Sequence, residues 1–254
     1  MKSPHRAPKT TAWSVGLIGF GRLGRLLVKH FARDARILVA DARLDARLAR
    51  KLGAQAATFA EACAQKIVVL CVPMSEFEGV VKKMRNLVRP GALIADACSA
   101  KEHPVRVMKR WIPKGVSLLA THPNFGPDSA ADSLKGRKIV LCRVRMTDAA
   151  YRAAKRALAR KGLEVVEMTP HEHDKRIASS LVLTHFIGRG LIAYGAKTTG
   201  ADTEGYQRLL RILETVQNDS WQLFADMNRF NALAAPMRAR LLAALESVDA
   251  KVRR

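Results

Sequence analysis

The chain has 254 residues, 48% of them apolar and 26% charged, with a formal net charge of +22 at pH 7. That length supports one large or two ordinary domains with a proper core, and that balance excludes an intrinsically disordered chain. No uninterrupted apolar run of about 18 residues occurs, so no membrane span is expected.

Residues 1–12 are basic and contain prolines but lack the apolar core of a signal peptide, so they are expected to form a flexible basic tail. Residues 15–24 read V-G-L-I-G-F-G-R-L-G, an apolar run opening into Gly19, Gly21 and Gly24 in G-x-G-x-x-G spacing. The glycines have mechanical jobs. Gly19 permits a tight turn, Gly21 lets backbone approach a pyrophosphate, and Gly24 lets the following helix pack on the strand. A helix predicted over 22–32 would aim its N-terminal N–H groups at phosphate. A second strand over 36–40 ends in Asp41, about 20 positions past Gly21, where a ribose-binding carboxylate is expected. The candidate cofactor loop is therefore Gly19, Phe20, Gly21, Arg22, Leu23 and Gly24, with Asp41 and Arg43 after the second strand.

Further elements follow in alternation. Leu44, Leu48 and Leu52 mark a helix over 44–52, and the β-branched run 66–72 predicts a buried parallel strand stopped by Pro73. Val72 and Pro73, at its end, are assigned to the cofactor side. A helix is expected over 77–87, a turn at Pro90 and Gly91, and a strand over 92–95 that ends at Asp96. Strands are also predicted over 116–120, 138–144 and 163–168, the last two separated by a basic helix near 149–161. Such alternation over 13–169 predicts a Rossmann-type α/β domain with a mostly parallel sheet. Past Pro170 only helical spacing remains, as in Leu209, Leu210, Leu213 and Val216, or Leu241, Leu242, Leu245 and Val248. Residues 170–254 are thus expected to form an all-α domain. Gly188, Gly190, Gly195 and Gly200 suggest close helix packing, since glycine within a helix costs about 1 kcal/mol against alanine.

Cys63, Cys71, Cys98 and Cys142 lie far apart with no C-x-x-C pair, which points to reduced thiols in a cytoplasmic enzyme. The positive charge is concentrated at the front: residues 1–200 carry 36 Lys and Arg against 15 Asp and Glu, residues 201–254 carry 8 against 7. It favours anionic ligands. Specific nucleic-acid binding is not expected, because the basic face Arg152, Lys155, Arg156, Arg160 and Lys161 lacks interleaved aromatics.

In an open sheet, ligands bind past the C-terminal strand ends. The polar residues there are Ser99 and Lys101 after Asp96, and T-H-P-N-F-G-P-D-S from Thr121. A third cluster comprises His171, Glu172, His173 and Asp174, followed by Thr184, His185 and Arg189.

D-A-C-S-A-K (96–101), T-H-P-N-F-G-P (121–127), E-M-T-P-H-E-H-D (167–174), T-H-F-I-G-R-G-L (184–191) and N-D-S-W-Q-L-F (218–224) occur in this order. Together they resemble the prephenate and arogenate dehydrogenases of tyrosine biosynthesis, with the plant-type arogenate branch and its bacterial relatives nearest. The resemblance covers about 13–245; Asn124 stands where the family commonly has Met, and D-A-R at 41–43 differs from the S-R often seen in the plant-type branch. It implies oxidative decarboxylation of prephenate to 4-hydroxyphenylpyruvate with hydride transfer to NAD or NADP, or of arogenate to tyrosine.

That reaction needs a base for the ring hydroxyl proton and cations for the carboxylates. His122 is the best base, since imidazole titrates near neutral pH, although a histidine before Pro123 also serves as a plain turn residue. Ser99 would orient the same hydroxyl; as a bare residue type it reads equally as a helix N-cap. His185 matches a family histidine that binds substrate carboxylate, and Arg189, one turn on, shares its helix face. Lys101, Asn218 and Asp219 complete the substrate set, the last two as candidates for telling a keto acid from an amino acid. His173 and Asp174 receive no chemical step, and no metal is expected. Asp41 favours NAD, while Arg43 is placed to accept a 2′-phosphate, leaving NADP open. The resemblance also implies a homodimer made by the helical domain. Two rivals stand beside it: another β-hydroxyacid dehydrogenase or imine reductase on the same fold, and a dinucleotide-sensing nucleic-acid binder.

Overall fold

The computed structural model describes residues 13–253, so the basic tail expected over 1–12 lies outside the described residues. The described chain divides into two compact units: 13–72 with 76–98 and 104–169, and 73–75 with 99–103 and 170–253.

The first unit is an eight-stranded sheet in the order β3-β2-β1-β4-β5-β6-β7-β8. Its strands are β1 (Ser14–Ile18), β2 (Arg36–Ala40), β3 (Gln55–Ala56), β4 (Ile67–Leu70), β5 (Leu93–Asp96), β6 (Ser117–Pro123), β7 (Lys138–Arg145) and β8 (Glu164–Glu167). All neighbours are parallel except β6 and β7. The helices are α1 (Arg22–Phe31), α2 (Ala46–Lys51), α3 (Phe59–Cys63), α4 (Met74–Met84), α5 (Glu102–Trp111) and α6 (Asp148–Arg160). Chain order reverses between β1 and β4, so the crevice past their C-terminal ends is the switch point where open α/β sheets bind ligands. Two apolar clusters hold the layers. One joins Leu17, Val28, Ile37, Val39 and Ala49; the other joins Leu26, Leu119, Leu141, Tyr151 and Leu163.

Several boundaries differ from the sequence reading. Helix α4 ends at Met84 and starts at Met74 rather than 77, because Pro73 stands just ahead of it, a placement compatible with a helix start. Strand β4 is shorter than 66–72, and β6 runs on through Thr121, His122 and Pro123, so His122 is a strand residue. Helix α5 was not expected: Pro104 looks like a breaker but falls in the first turn, where a proline N–H is not needed. The short β3 and α3 were also missed, although Thr58 and Glu61 form a capping box at α3.

The second unit is helical: α7 (Pro170–Ile177), a π-helical turn (Ala178–Val182), α8 (Leu183–Tyr194), α9 (Glu204–Val216), α10 (Trp221–Phe230) and α11 (Ala234–Val252). Of its four singled-out glycines only Gly188 serves helix packing. A Cβ there would lie 2.7 Å from Val216 Cγ2, so α8 and α9 approach closely at this point. Gly190 faces open space, and Gly195 and Gly200 instead adopt left-handed turns. Leu242, Leu245, Val248 and Val252 on α11 are exposed. Against expectation, one helical run among the described residues, 170–194, is long and apolar enough to cross a membrane by length and composition. Its apolar side chains are not consecutive in sequence, which is why a search for an unbroken run passes over it.

Candidate active site

The turn from β1 into α1 is held by its neighbours. Gly19 N–H donates to Ala40 O at 2.9 Å, and Phe20 N–H donates to Asp41 Oδ2 at 2.7 Å. Asp41 Oδ1 accepts the Arg43 N–H at 2.7 Å. The carboxylate thus clamps the glycine loop and its own turn, and each oxygen keeps a second lone pair for a ligand hydroxyl. Gly19 has φ +100, and a Cβ there would lie 2.3 Å from Cys71 O, beside Val72 at the end of β4. Gly24 is equally constrained, its Cβ position 2.3 Å from Gly19 O. Gly21 is different: it caps α1 in extended conformation, and a Cβ there would meet nothing within 4 Å.

Helix α1 has no side-chain cap and no acidic residue in its first turn. A helix start of this kind, with its positive dipole end and no acid of its own, is a position that suits a phosphate. Arg22 turns aside to Asp128, with both carboxylate oxygens within 2.8 Å of one guanidinium nitrogen. Leu23 packs against the apolar cluster around Leu119, leaving backbone as the loop's contribution.

At the same edge of the sheet stands His122, 4% exposed, opposite Val140 of β7. Asp96, wholly buried, ties the two strand ends together. Its Oδ2 accepts the Cys98 N–H at 2.9 Å, its Oδ1 accepts the Thr121 N–H at 3.3 Å, and Thr121 Oγ1 donates to its backbone carbonyl. Sequence reading took Asp96 only as a strand end; a lone acid directly after a buried apolar strand was the available signal. Burial, helped by the Asp96 charge, pushes the Cys71 thiol up to about 12, which leaves it inert as a nucleophile.

In the helical unit His185, Arg189 and Asp219 come together; helical spacing links only the first two. His185 Nε2 lies 3.7 Å from Asp219 Oδ2, and an Arg189 terminal nitrogen donates to Asp219 O. The guanidinium lies 5.9 Å from the Trp221 ring centroid and 6.0 Å from that of Phe224. His185 Nδ1 and Arg189 Nε are buried without a hydrogen-bond partner, and such orphaned polar atoms mark a place where a polar ligand fits. Trp221, 67% exposed beside Arg189, was not among the sequence candidates although it lies within the motif that contains Asp219. Asn218 is exposed beside it.

Burial holds the His185 pKa below its ordinary 6.5, Asp219 opposing and Arg189 adding to the shift. The unfolded chain therefore takes up this proton more readily, so the stabilising contribution is full above pH 6.5 and is lost as pH falls toward the depressed value. His185→Gln should reduce the slope of melting temperature against pH on the acid side. An unchanged slope would mean that His185 charges as easily folded as unfolded.

Ser99 is half-buried in the turn ahead of α5. It is not that helix's N-cap, because α5 begins three residues later and its first N–H groups go to Asp174. Lys101 is wholly buried, and its N–H donates to Asp174 Oδ1 at 2.7 Å. Asp226 plays a parallel part for α4, accepting from Ser75 N–H at 3.1 Å and Ser75 Oγ at 3.0 Å. Among the described residues no group of three or more His, Cys, Asp or Glu is placed to hold a metal ion.

A family model described as the prephenate dehydrogenase nucleotide-binding domain matches residues 23–167. The chain belongs to the prephenate/arogenate dehydrogenases. This family of NAD(P)-dependent oxidoreductases includes arogenate dehydrogenase 2, chloroplastic, of Arabidopsis thaliana, 33% identical over 98% of this chain and 72% of its own length. Arogenate dehydrogenase 1, chloroplastic, of the same plant is 29% identical over 94% of this chain, which spans 39% of it. Prephenate dehydrogenase of A. aeolicus, solved with hydroxyphenyl propionate and NAD+, shares the fold with TM-score 0.77 at 20% identity, over 97% of this chain and 93% of that one. A second model, the TYRAAT1-like C-terminal domain, matches 191–254.

Proposed function

We propose that this prephenate/arogenate dehydrogenase binds its dinucleotide on the Gly19–Gly24 turn and uses His122 as the base of an oxidative decarboxylation. One observation carries this reading. The parallel strands β1 and β6 end at the same edge of one sheet, the first in an uncapped, acid-free helix start, the second in a buried imidazole. Nicotinamide, when bound, supplies the hydride acceptor. Val72 and Pro73 are assigned to the cofactor side of this edge.

The chain's own groups handle the proton and the carboxylates. His122 takes the hydroxyl proton from the ring carbon that loses hydride. As the ring carboxylate departs as CO2, its bonding pair enters the ring and completes aromaticity, and His122 returns the proton to the phenolate oxygen. No net proton is gained or lost. Ser99 orients the hydroxyl, while His185 and Arg189 bind carboxylate, Arg189 held in place by its bond to Asp219 O.

For the remaining side chain of the substrate, Asp219 favours arogenate over prephenate. Its carboxylate is the acid beside His185, and an acid suits an ammonium group better than a keto group. The arogenate dehydrogenase relatives support the same choice. For the cofactor, the Asp41 carboxylate favours a ribose 2′-hydroxyl over a 2′-phosphate, so NAD is preferred and Arg43 permits some use of NADP. Arg43→Ala should cut kcat/KM with NADP and leave that with NAD within about twofold, because an exposed arginine touches only the extra phosphate. Equal losses with both cofactors would remove Arg43 from the 2′-position. The exposed stripe on α11 supports the homodimer expectation, and sedimentation would read it.

The deciding assay offers prephenate and arogenate separately, each with NAD and NADP, and follows reduced nicotinamide. Turnover with arogenate and NAD above the other three is the expected result. Silence in all four from protein that still binds NADH would discard the reaction and keep the fold.

A further inference from the structure

We propose that Asp174 is a positioning residue that holds Ser99 in place, with His173 and Asn231 as its supports; this rests on the dehydrogenase reading of Ser99. Asp174 is wholly buried, yet its carboxylate is fully engaged. Oδ1 accepts the Lys101 N–H at 2.7 Å and Oδ2 accepts the Glu102 N–H at 3.0 Å. His173 Nδ1 lies 2.7 Å from Oδ1, and Asn231 Nδ2 donates to the Asp174 backbone carbonyl at 2.8 Å. His173 is itself 0% exposed and Asn231 1% exposed, so the carboxylate and these two supports are shielded from water.

A buried carboxylate is tolerated only when its lone pairs are satisfied, and here backbone N–H groups do most of that. The consequence falls on the turn that carries Ser99. This turn belongs to no strand or helix, since β5 ends at Asp96 and α5 begins at Glu102. On its own it would sample several conformations. Asp174 fixes it two residues past Ser99, and Ala100 between them is wholly buried. The Cys98 N–H, one residue before Ser99, is held by Asp96. The negative charge also lies against the positive end of α5, which strengthens the hold. A hydroxyl that must meet a substrate oxygen needs a fixed backbone, because small misplacements cost large factors in rate.

The test is a double-mutant cycle on turnover, with Ser99→Ala, Asp174→Asn and the pair, each at saturating cofactor. Asp174→Asn should lower kcat by about tenfold or more and leave NADH affinity within about twofold. In its background Ser99→Ala should lose most of its own effect, since the hydroxyl is already misplaced. Costs that multiply independently would make Asp174 a purely structural tie and overturn the proposal. Asn231→Ala, which removes only the outer support, runs through the same cycle if Asp174→Asn fails to fold. A second readout is amide hydrogen exchange, which should rise at residues 99–103 in either variant while β2 keeps its protection. Unchanged exchange at 99–103 overturns the proposal. An inactive wild-type chain would remove the dehydrogenase reading alone, and the exchange comparison would still decide whether Asp174 holds the turn.

Discussion

Replacing His122 with asparagine should lower turnover by about a thousandfold, within the range that a positioned general base supplies. NADH affinity, read by nicotinamide fluorescence, should stay within about twofold, because the proposed dinucleotide contacts are loop backbone and Asp41 rather than His122. The structure makes the contrast sharp. His122 is 4% exposed on β6, its strand neighbour Thr121 is tied to Asp96 through backbone and hydroxyl, and Pro123 follows with no N–H to give away. Asparagine keeps a polar, planar group of similar reach in that slot but cannot take a proton. The backbone ties at Thr121 do not involve the His122 ring, so the strand end should survive. Activity within tenfold of wild type would sink the assignment and move the base elsewhere.

The glycines should separate ligand binding from folding. Gly21→Ala should melt as wild type does and lose at least about tenfold in dinucleotide affinity, equivalent to about 1.4 kcal/mol. Gly21 has φ −68 and ψ −166, which alanine adopts freely, and its Cβ would meet no protein atom within 4 Å. The only group it can obstruct is one bound against the loop. Gly24→Ala and Gly16→Ala should do the reverse and destabilise the fold by about 3 kcal/mol or more, as overpacking against backbone does. Their Cβ atoms would sit 2.3 Å from Gly19 O and 1.9 Å from Ala62 O, carbonyls that cannot move without shifting a loop or a helix. Thermal melting and an NADH titration on the three variants give both readouts. Wild-type affinity in Gly21→Ala would show that the pyrophosphate does not rest on this turn.

Much of the first unit is legible in the sequence alone. The β-branched run ending near Leu70, the glycine loop and the carboxylate at Asp41 each depend on neighbours in sequence, where period and turn chemistry act directly. The misses share a cause. Helix α5 went unseen because local propensity alone does not say that Pro104 sits in a first helical turn, where its missing N–H is tolerated. The extent of β6 was underestimated because its last residues pair with β7, which lies later in the chain. Ser99 reads equally as a cap or a substrate contact in sequence; the start of α5 at Glu102 removes the first reading for that helix.

The sequence by itself determined the family, the glycine-rich turn, the alternation of strand and helix, and the residue types able to move a proton or bind carboxylate. All of these rest on spacing along the chain. Only the tertiary structure decided which acids hold which turns. Asp174 reaches Lys101 across 73 residues and Asp226 reaches Ser75 across 151, and no local pattern links them. The reason is energetic: a backbone N–H left without partner when buried costs too much, and the nearest satisfying carboxylate is set by packing of whole elements rather than by sequence distance.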